Sequence, residues 1–199
     1  MKNGLLACLF FLSSCGYRYK TDTDLGKVYS VSVPYIKGDV DAVLNSALVY
    51  QLSSSGAFRC VQTGGDYTLQ VTFLSDTQRR IDFRYDRDNV SGSLERNLLG
   101  VEDRRSVVVL VSLIDAATKE VFVGPFEAAS DVEYDYIDPG SPRDLIYTGS
   151  LSQTQSIIQF SLGQLDSSEG AYDDSAKLLF KKLGQRISDA LIEGLLDKS

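Results

Sequence analysis

The chain of 199 residues is 43% hydrophobic, carries a formal net charge of −7 and contains neither His nor Trp. That composition suits one core of ordinary size, and the negative balance argues against nucleic acid as a partner. The lack of His removes the commonest general base, the commonest zinc ligand and every His-containing nucleophile arrangement, so neither catalysis nor a bound metal is expected.

The first feature along the chain is Leu12-Ser13-Ser14-Cys15-Gly16, which ends an apolar run from Gly4 to Leu12 behind Lys2. The run suits a secretory signal core and is too short to span a bilayer. A Leu three residues before a Cys, with two small Ser between, resembles a bacterial lipobox. Cleavage there implies a signal peptide over 1–14, a lipidated amino terminus and tether over 15–27, and a single globular domain over 28–199. Cys8, in Leu5-Leu6-Ala7-Cys8, would leave too short an apolar core if the cut fell there. No cofactor is expected; the one attached group is the diacylglycerol and N-acyl lipid of Cys15. Each buried CH₂ of an acyl chain contributes about 0.8 kcal/mol and one chain holds only marginally, so two or three on one Cys form a firm membrane anchor. With Cys8 removed and Cys15 acylated, Cys60 is left without a disulfide partner and reads as a small buried hydrophobe.

Tyr29, Val31, Val33 and Tyr35 alternate with polar residues up to Pro34, which predicts a strand. Val40, Val43, Leu44, Ala47, Leu48 and Leu52 then form one stripe at helical period, closed by Gly56 as a left-handed cap. A short strand over Phe58 to Val61 and a Gly64-Gly65 turn follow. Tyr67, Leu69, Val71 and Phe73 alternate cleanly, the strongest strand signal in the chain. After a polar break over Ser75 to Gln78, Ile81, Phe83 and Tyr85 alternate with charged residues and read as the returning arm of a hairpin. Residues 86–100, with Gly92 and Gly100, read as a surface loop.

Val107 to Ile114 is nearly all apolar and Val-rich, which predicts a central strand covered on both faces. Asp115 to Lys119 turns the chain, and Glu120 to Val123 pairs back until Gly124-Pro125 ends it. Asp131 to Gly149 is acidic, Tyr-rich and broken by Pro139 and Pro142, and reads as a long loop. Ile158, Phe160 and Leu162 suggest one more strand. Tyr172, Ala176, Leu179, Phe180, Leu183, Ile187, Ala190, Leu191 and Leu195 form the stripe of a long last helix, with Asp166 and Glu169 as a capping pair. The order implies an α+β two-layer sandwich, two helices packed on one face of a mixed, largely antiparallel sheet.

These elements together resemble the lipopolysaccharide-assembly lipoprotein family, LptE. The resemblance rests on Cys15-Gly16-Tyr17-Arg18, on Val31 to Tyr35 ahead of the first helix, on Gly65 to Val71, on Val109 to Asp115 with Thr118 and Val121, and on the last helix. It implies a non-enzymatic plug subunit of an outer-membrane β-barrel of LptD type, anchored by lipid on the periplasmic side. Such a subunit helps the barrel fold and helps deliver lipopolysaccharide, which is itself a candidate ligand. The competing expectation is a periplasm-facing outer-membrane lipoprotein that binds and regulates another envelope complex, such as a cell-wall synthase. A carboxylate-only hydrolase is a third, but neighbouring residues such as Asp173 and Asp174 diverge by about 100° on a helix.

Two surfaces stand out as contact candidates. Arg79, Arg80, Arg84, Arg87, Arg104 and Arg105, with Arg96, crowd one segment, and their forked donors suit phosphate or carboxylate groups on lipopolysaccharide or a barrel wall. Asp82, Asp86, Asp88, Glu95, Glu102 and Asp103 share that segment, so a self-paired hairpin is the other reading. Asp82 and Arg84 around Phe83 would also protect a sheet edge from unwanted pairing. The second candidate is the aromatic loop carrying Tyr134, Tyr136 and Tyr147, either an interface anchor or a loop packed on the sheet.

Overall fold

A computed structural model of the protein describes residues 27–88, 91, 93–136, 146–148, 154–156 and 167–198. Cys15, Asp166 and the strand expected at Ile158 to Leu162 lie outside the described residues. The strands are β1 (Tyr29–Ser32), β2 (Phe58–Val61), β3 (Tyr67–Arg87), β4 (Leu94–Asp115), β5 (Val121–Asp135), β6 (Ile146–Thr148) and β7 (Thr154–Ser156). The helices are α1 (Val43–Ser54) and α2 (Ser168–Leu196). Five strands form one sheet in the order β2-β1-β3-β4-β5, with β1 parallel to both neighbours and β3, β4 and β5 antiparallel. β6 and β7 pair with each other as a separate ribbon. The fold is the expected α+β sandwich, two helices on one face of a mixed sheet.

The core lies where the alternating strands meet the helical stripes. Leu69, Val71, Val107, Val109, Val111 and Leu113 point from the sheet into Leu44, Leu48 and Leu52 of α1 and Leu179, Leu183, Ile187 and Leu191 of α2. Opposed strand residues share a face, so the register Leu69↔Leu113 and Val71↔Val111 sets these side chains in one layer. The helices approach closely at Gly184, where a Cβ would lie 3.3 Å from the Ala47 backbone. α1 starts later than its stripe suggests. Asp41 and Ala42 hold left-handed φ of 60° and 54°, so Val40 is exposed in a short 3-10 turn. The buried carboxylate of Asp39 reaches past that turn to accept from Leu44 N (3.0 Å) and Asn45 N (2.8 Å), satisfying helix donors that lack intrahelical partners. At α2 the N-cap is Ser167, whose Oγ accepts from Gly170 N.

The sheet differs from expectation mainly in the length of its strands. Ser75 to Gln78 does not break β3, and Ile81 to Tyr85 is the outgoing arm, not a returning one. Residues 94–100 are strand, not loop. The physical cause is register: pairing shifts between Phe73 and Ser75, again between Arg80 and Asp82, and twice more towards the tip. Each bulge resets which residues face inward, so one long strand reads as several short alternating runs. Gly124-Pro125 likewise does not end β5. Gly124 takes φ +95°, and a Cβ there would sit 2.7 Å from the Val111 carbonyl oxygen, so glycine absorbs the irregularity and pairing resumes at Phe126. Asp131 to Asp135 is therefore strand and not loop. β4 is central but not covered on both faces: Val107, Val109, Val111 and Leu113 are buried beneath the helices, while Val108, Leu110 and Ile114 on the other face are half-buried.

Candidate interaction surface

The β3–β4 hairpin outruns the helix layer. At about 3.3 Å per residue the 21 residues of β3 span roughly 70 Å. β1 pairs with β3 only at Tyr67 and Thr68, and β5 stops opposite Glu102. A two-stranded arm, residues 81–101, thus projects past the sandwich.

A polar belt marks the root of the arm. Arg105 is only 7% exposed and lies on the helix-facing side of β4. Its Nε and Nη2 donate to both carboxylate oxygens of Asp76 at 3.1 and 2.7 Å, and Nη1 donates to the Tyr172 carbonyl at 3.3 Å. The guanidinium carbon sits 3.9 Å from the Tyr172 ring centre and 5.5 Å from that of Phe180. Burial disfavours its charge, but the Asp76 hydrogen bond and charge outweigh this and hold the pKa above its ordinary value. Asp103, 2% exposed, accepts from Gln78 (2.5 Å), Arg80 (3.3 Å) and the Tyr136 hydroxyl (3.3 Å). This belt replaces the apolar core where the last buried valine of β4, Val107, gives way to the arm.

Tyr134 and Tyr136 belong to the belt and not to a partner-facing loop. Tyr136 is buried, and its amide donates to the Val101 carbonyl oxygen at 3.1 Å. Tyr134 packs edge-on against Tyr172, and its buried hydroxyl has no hydrogen-bond partner among the described residues. Burial first, then the Asp103 charge, push the Tyr134 phenol up to about 12. Burial likewise raises Tyr136 and Tyr172. Only the backbone of Tyr147 is described, in β6.

The arginines do not gather into one anion site. Arg80 and Arg105 lie on the helix-facing side of the sheet with carboxylate partners. Arg104 is on the outer face, paired with Glu133. Arg79 stands directly opposite Arg104 in the ladder and makes no ion pair among the described residues. Arg84 has a partner within the chain, and the side chain of Arg87 is not among those described. The outer face near the root is acidic instead. Glu102 faces Asp82 and Asp135 across the ladder, and partial desolvation, then the Asp135, Glu133 and Asp82 charges, raise its pKa.

Beyond the belt the arm exposes apolar groups. Phe83 is 46% exposed, Tyr85 and Leu98 each 56%, and Leu94 59%. Tyr85 stands directly opposite Leu98. From Leu69 onward the edge of β3 away from β4 has no strand partner among the described residues. Long unpaired edges with exposed apolar side chains are sites of partner recruitment. Neither the buried belt nor the arm was read from the sequence. The belt had a signal: Asp103 and Arg105 fall in step with Val107, Val109, Val111 and Leu113, the same inward-facing series.

No family model matches the chain, and no curated protein does. Among solved structures it is similar to a minor lipoprotein from Acinetobacter baumannii (13% identity, 82% of this chain and 90% of that one, TM-score 0.44). It is also similar to a lipoprotein from Caulobacter crescentus CB15 (16%, 89% and 96%, 0.45) and to rare lipoprotein B from Shewanella oneidensis (12%, 85% and 95%, 0.36). At these TM-scores the likenesses carry no argument about function. Among the described residues no helix is long and apolar enough to cross a membrane, and no cluster of three or more His, Cys, Asp or Glu could hold a metal.

Proposed function

We propose that the chain is a lipid-anchored outer-membrane lipoprotein acting as the accessory subunit of a β-barrel of LptD type, with no catalytic role. Cys15 carries the lipid, the helix-covered sandwich is the rigid body, and the arm is the element that engages the barrel. The reading is carried by the arm: a projecting two-stranded ribbon with exposed Phe83, Tyr85, Leu94 and Leu98 and a β3 edge that has no strand partner among the described residues. A solitary body gains nothing from such a ribbon, whereas a partner would bury its side chains and pair its edge. The lipobox and the LptE-like order of elements supply the compartment and the kind of partner.

Co-purification from outer membranes tests this. The tagged full-length chain is expected to bring down a large barrel, and depletion to lower surface lipopolysaccharide. Recovery of the chain with no barrel, or with a cell-wall synthase in its place, would overturn the reading. Cys15→Ser is expected to abolish lipid labelling and Cys8→Ser to leave it intact.

A further inference from the structure

The edge of β3 that has no strand partner among the described residues carries a charge pattern that complements itself. Alternation places Asp82 and Arg84 on one face of the arm and Phe83 and Tyr85 on the other. Asp82, Phe83, Arg84 and Tyr85 are all exposed. We infer that this edge pairs with the same edge of a second copy, antiparallel about a two-fold axis through Phe83. The inference concerns the chain with no barrel present and does not rest on the barrel reading.

In that register Phe83 faces its counterpart on the axis. Asp82 of each copy faces Arg84 of the other, so two opposite-charge pairs form; regular pairing ends at the bulge between Arg80 and Asp82. Cross-strand pairs of this kind are the unit of sheet stabilisation, and like charges directly opposite destabilise. The neighbouring registers that keep the same faces aligned are poor. Centring on Asp82 sets Asp82 against itself. Centring on Arg84 sets Arg84 against itself and Asp82 against Asp86. Centring on Tyr85 would set Arg84 against Asp86, which is buried; of the centrings from Asp82 to Tyr85, the charges that blunt this edge towards an arbitrary strand therefore favour the one on Phe83.

The geometry leaves room. Phe83 lies 15 residues beyond Thr68, the last partner of β1, which is about 50 Å of strand. The two bodies sit at opposite ends of the paired arms and do not meet. The Phe83 amide donates to Asp82 Oδ1 at 2.8 Å, a side-chain cap on a strand donor. In the pair that carboxylate turns to the second copy's Arg84, whose guanidinium has five N–H donors and so accommodates it beside its partner within the chain.

Single-cysteine crosslinking of the full-length lipidated chain, in detergent, without a barrel and in a Cys60→Ser background, tests the register. Residues directly opposite in antiparallel strands have Cα atoms about 4.5–5.5 Å apart, within disulfide reach, and diagonal neighbours stand about 7–8 Å apart, outside it. Phe83→Cys is expected to oxidise to a dimer. Asp82→Cys and Arg84→Cys are expected to crosslink only when the two variants are mixed. Asp82→Arg should lower dimer association about tenfold by opposing Arg to Arg at both pairs, and adding Arg84→Asp to the same chain should restore it. Absence of a Phe83→Cys dimer, equal crosslinking by Asp82→Cys alone, or no rescue by the double charge swap would each overturn the pairing. None of these outcomes depends on whether a barrel co-purifies.

Discussion

The body and the arm are built from the same two strands and obey different rules. In the body, β3 and β4 bury one face under two helices, and every inward position from Tyr67 to Phe73 and from Val107 to Leu113 is apolar. In the arm the same strands keep their ladder but lose the helices, and their apolar groups stay exposed. The polar belt of Asp76, Gln78, Arg80, Asp103, Arg105, Tyr136 and Tyr172 divides the two. Buried packing and exposed apolar surface are thus segregated along a single hairpin: packing holds the fold together, and under the proposed function the arm serves contact.

That division can be broken from either side. The largest effect is expected in the body: Leu183→Ala opens a cavity between α1, α2 and the sheet and should cost about 3 kcal/mol by urea denaturation. At the belt, Arg105→Ala removes a buried guanidinium and its contacts with the Tyr172 and Phe180 rings, but leaves Asp76 in reach of water, and should cost about 2 kcal/mol in the same assay. Tyr134→Phe works the other way, because it removes a buried hydroxyl that lacks a partner among the described residues. A gain of about 1 kcal/mol at neutral pH is expected. Its pH dependence has a definite sign. The folded-state pKa of Tyr134 is raised from 10.0 to about 12, so the neutral phenol's contribution is complete below pH 10 and lost as pH climbs towards 12. Stability of the parent should fall through that window, and Tyr134→Phe should flatten the fall. The smallest effect on folding is expected at the arm: Phe83→Ser and Leu98→Ser should each stay within about 0.5 kcal/mol of the parent.

The body was legible in the sequence because its two periods are uninterrupted. Leu44, Leu48 and Leu52 keep one helical stripe, Leu179 to Leu195 keep another, and the odd-numbered residues from 67 to 73 keep a strand face. The arm was not, because bulges at Phe73/Ser75 and Arg80/Asp82 shift the inward face and cut one strand into three apparent pieces. The arginines were visible as a cluster but not as two faces. Local spacing could not show that Arg105 would find Asp76 across the ladder while Arg104 found Glu133 on the opposite side. Tyr134 and Tyr136 look like loop residues in the sequence because the acidic run from Asp131 masks the continuation of β5 to Asp135, which carries Tyr134 and ends just before Tyr136.

The division between body and arm meets its most direct test in a full-length chain whose residues 81–101 are replaced by a tight two-residue turn. An intact body is expected, with near-parental urea stability and normal membrane anchoring, that no longer brings down an outer-membrane barrel. A shortened chain that still co-purifies with the barrel in parental yield would contradict the division.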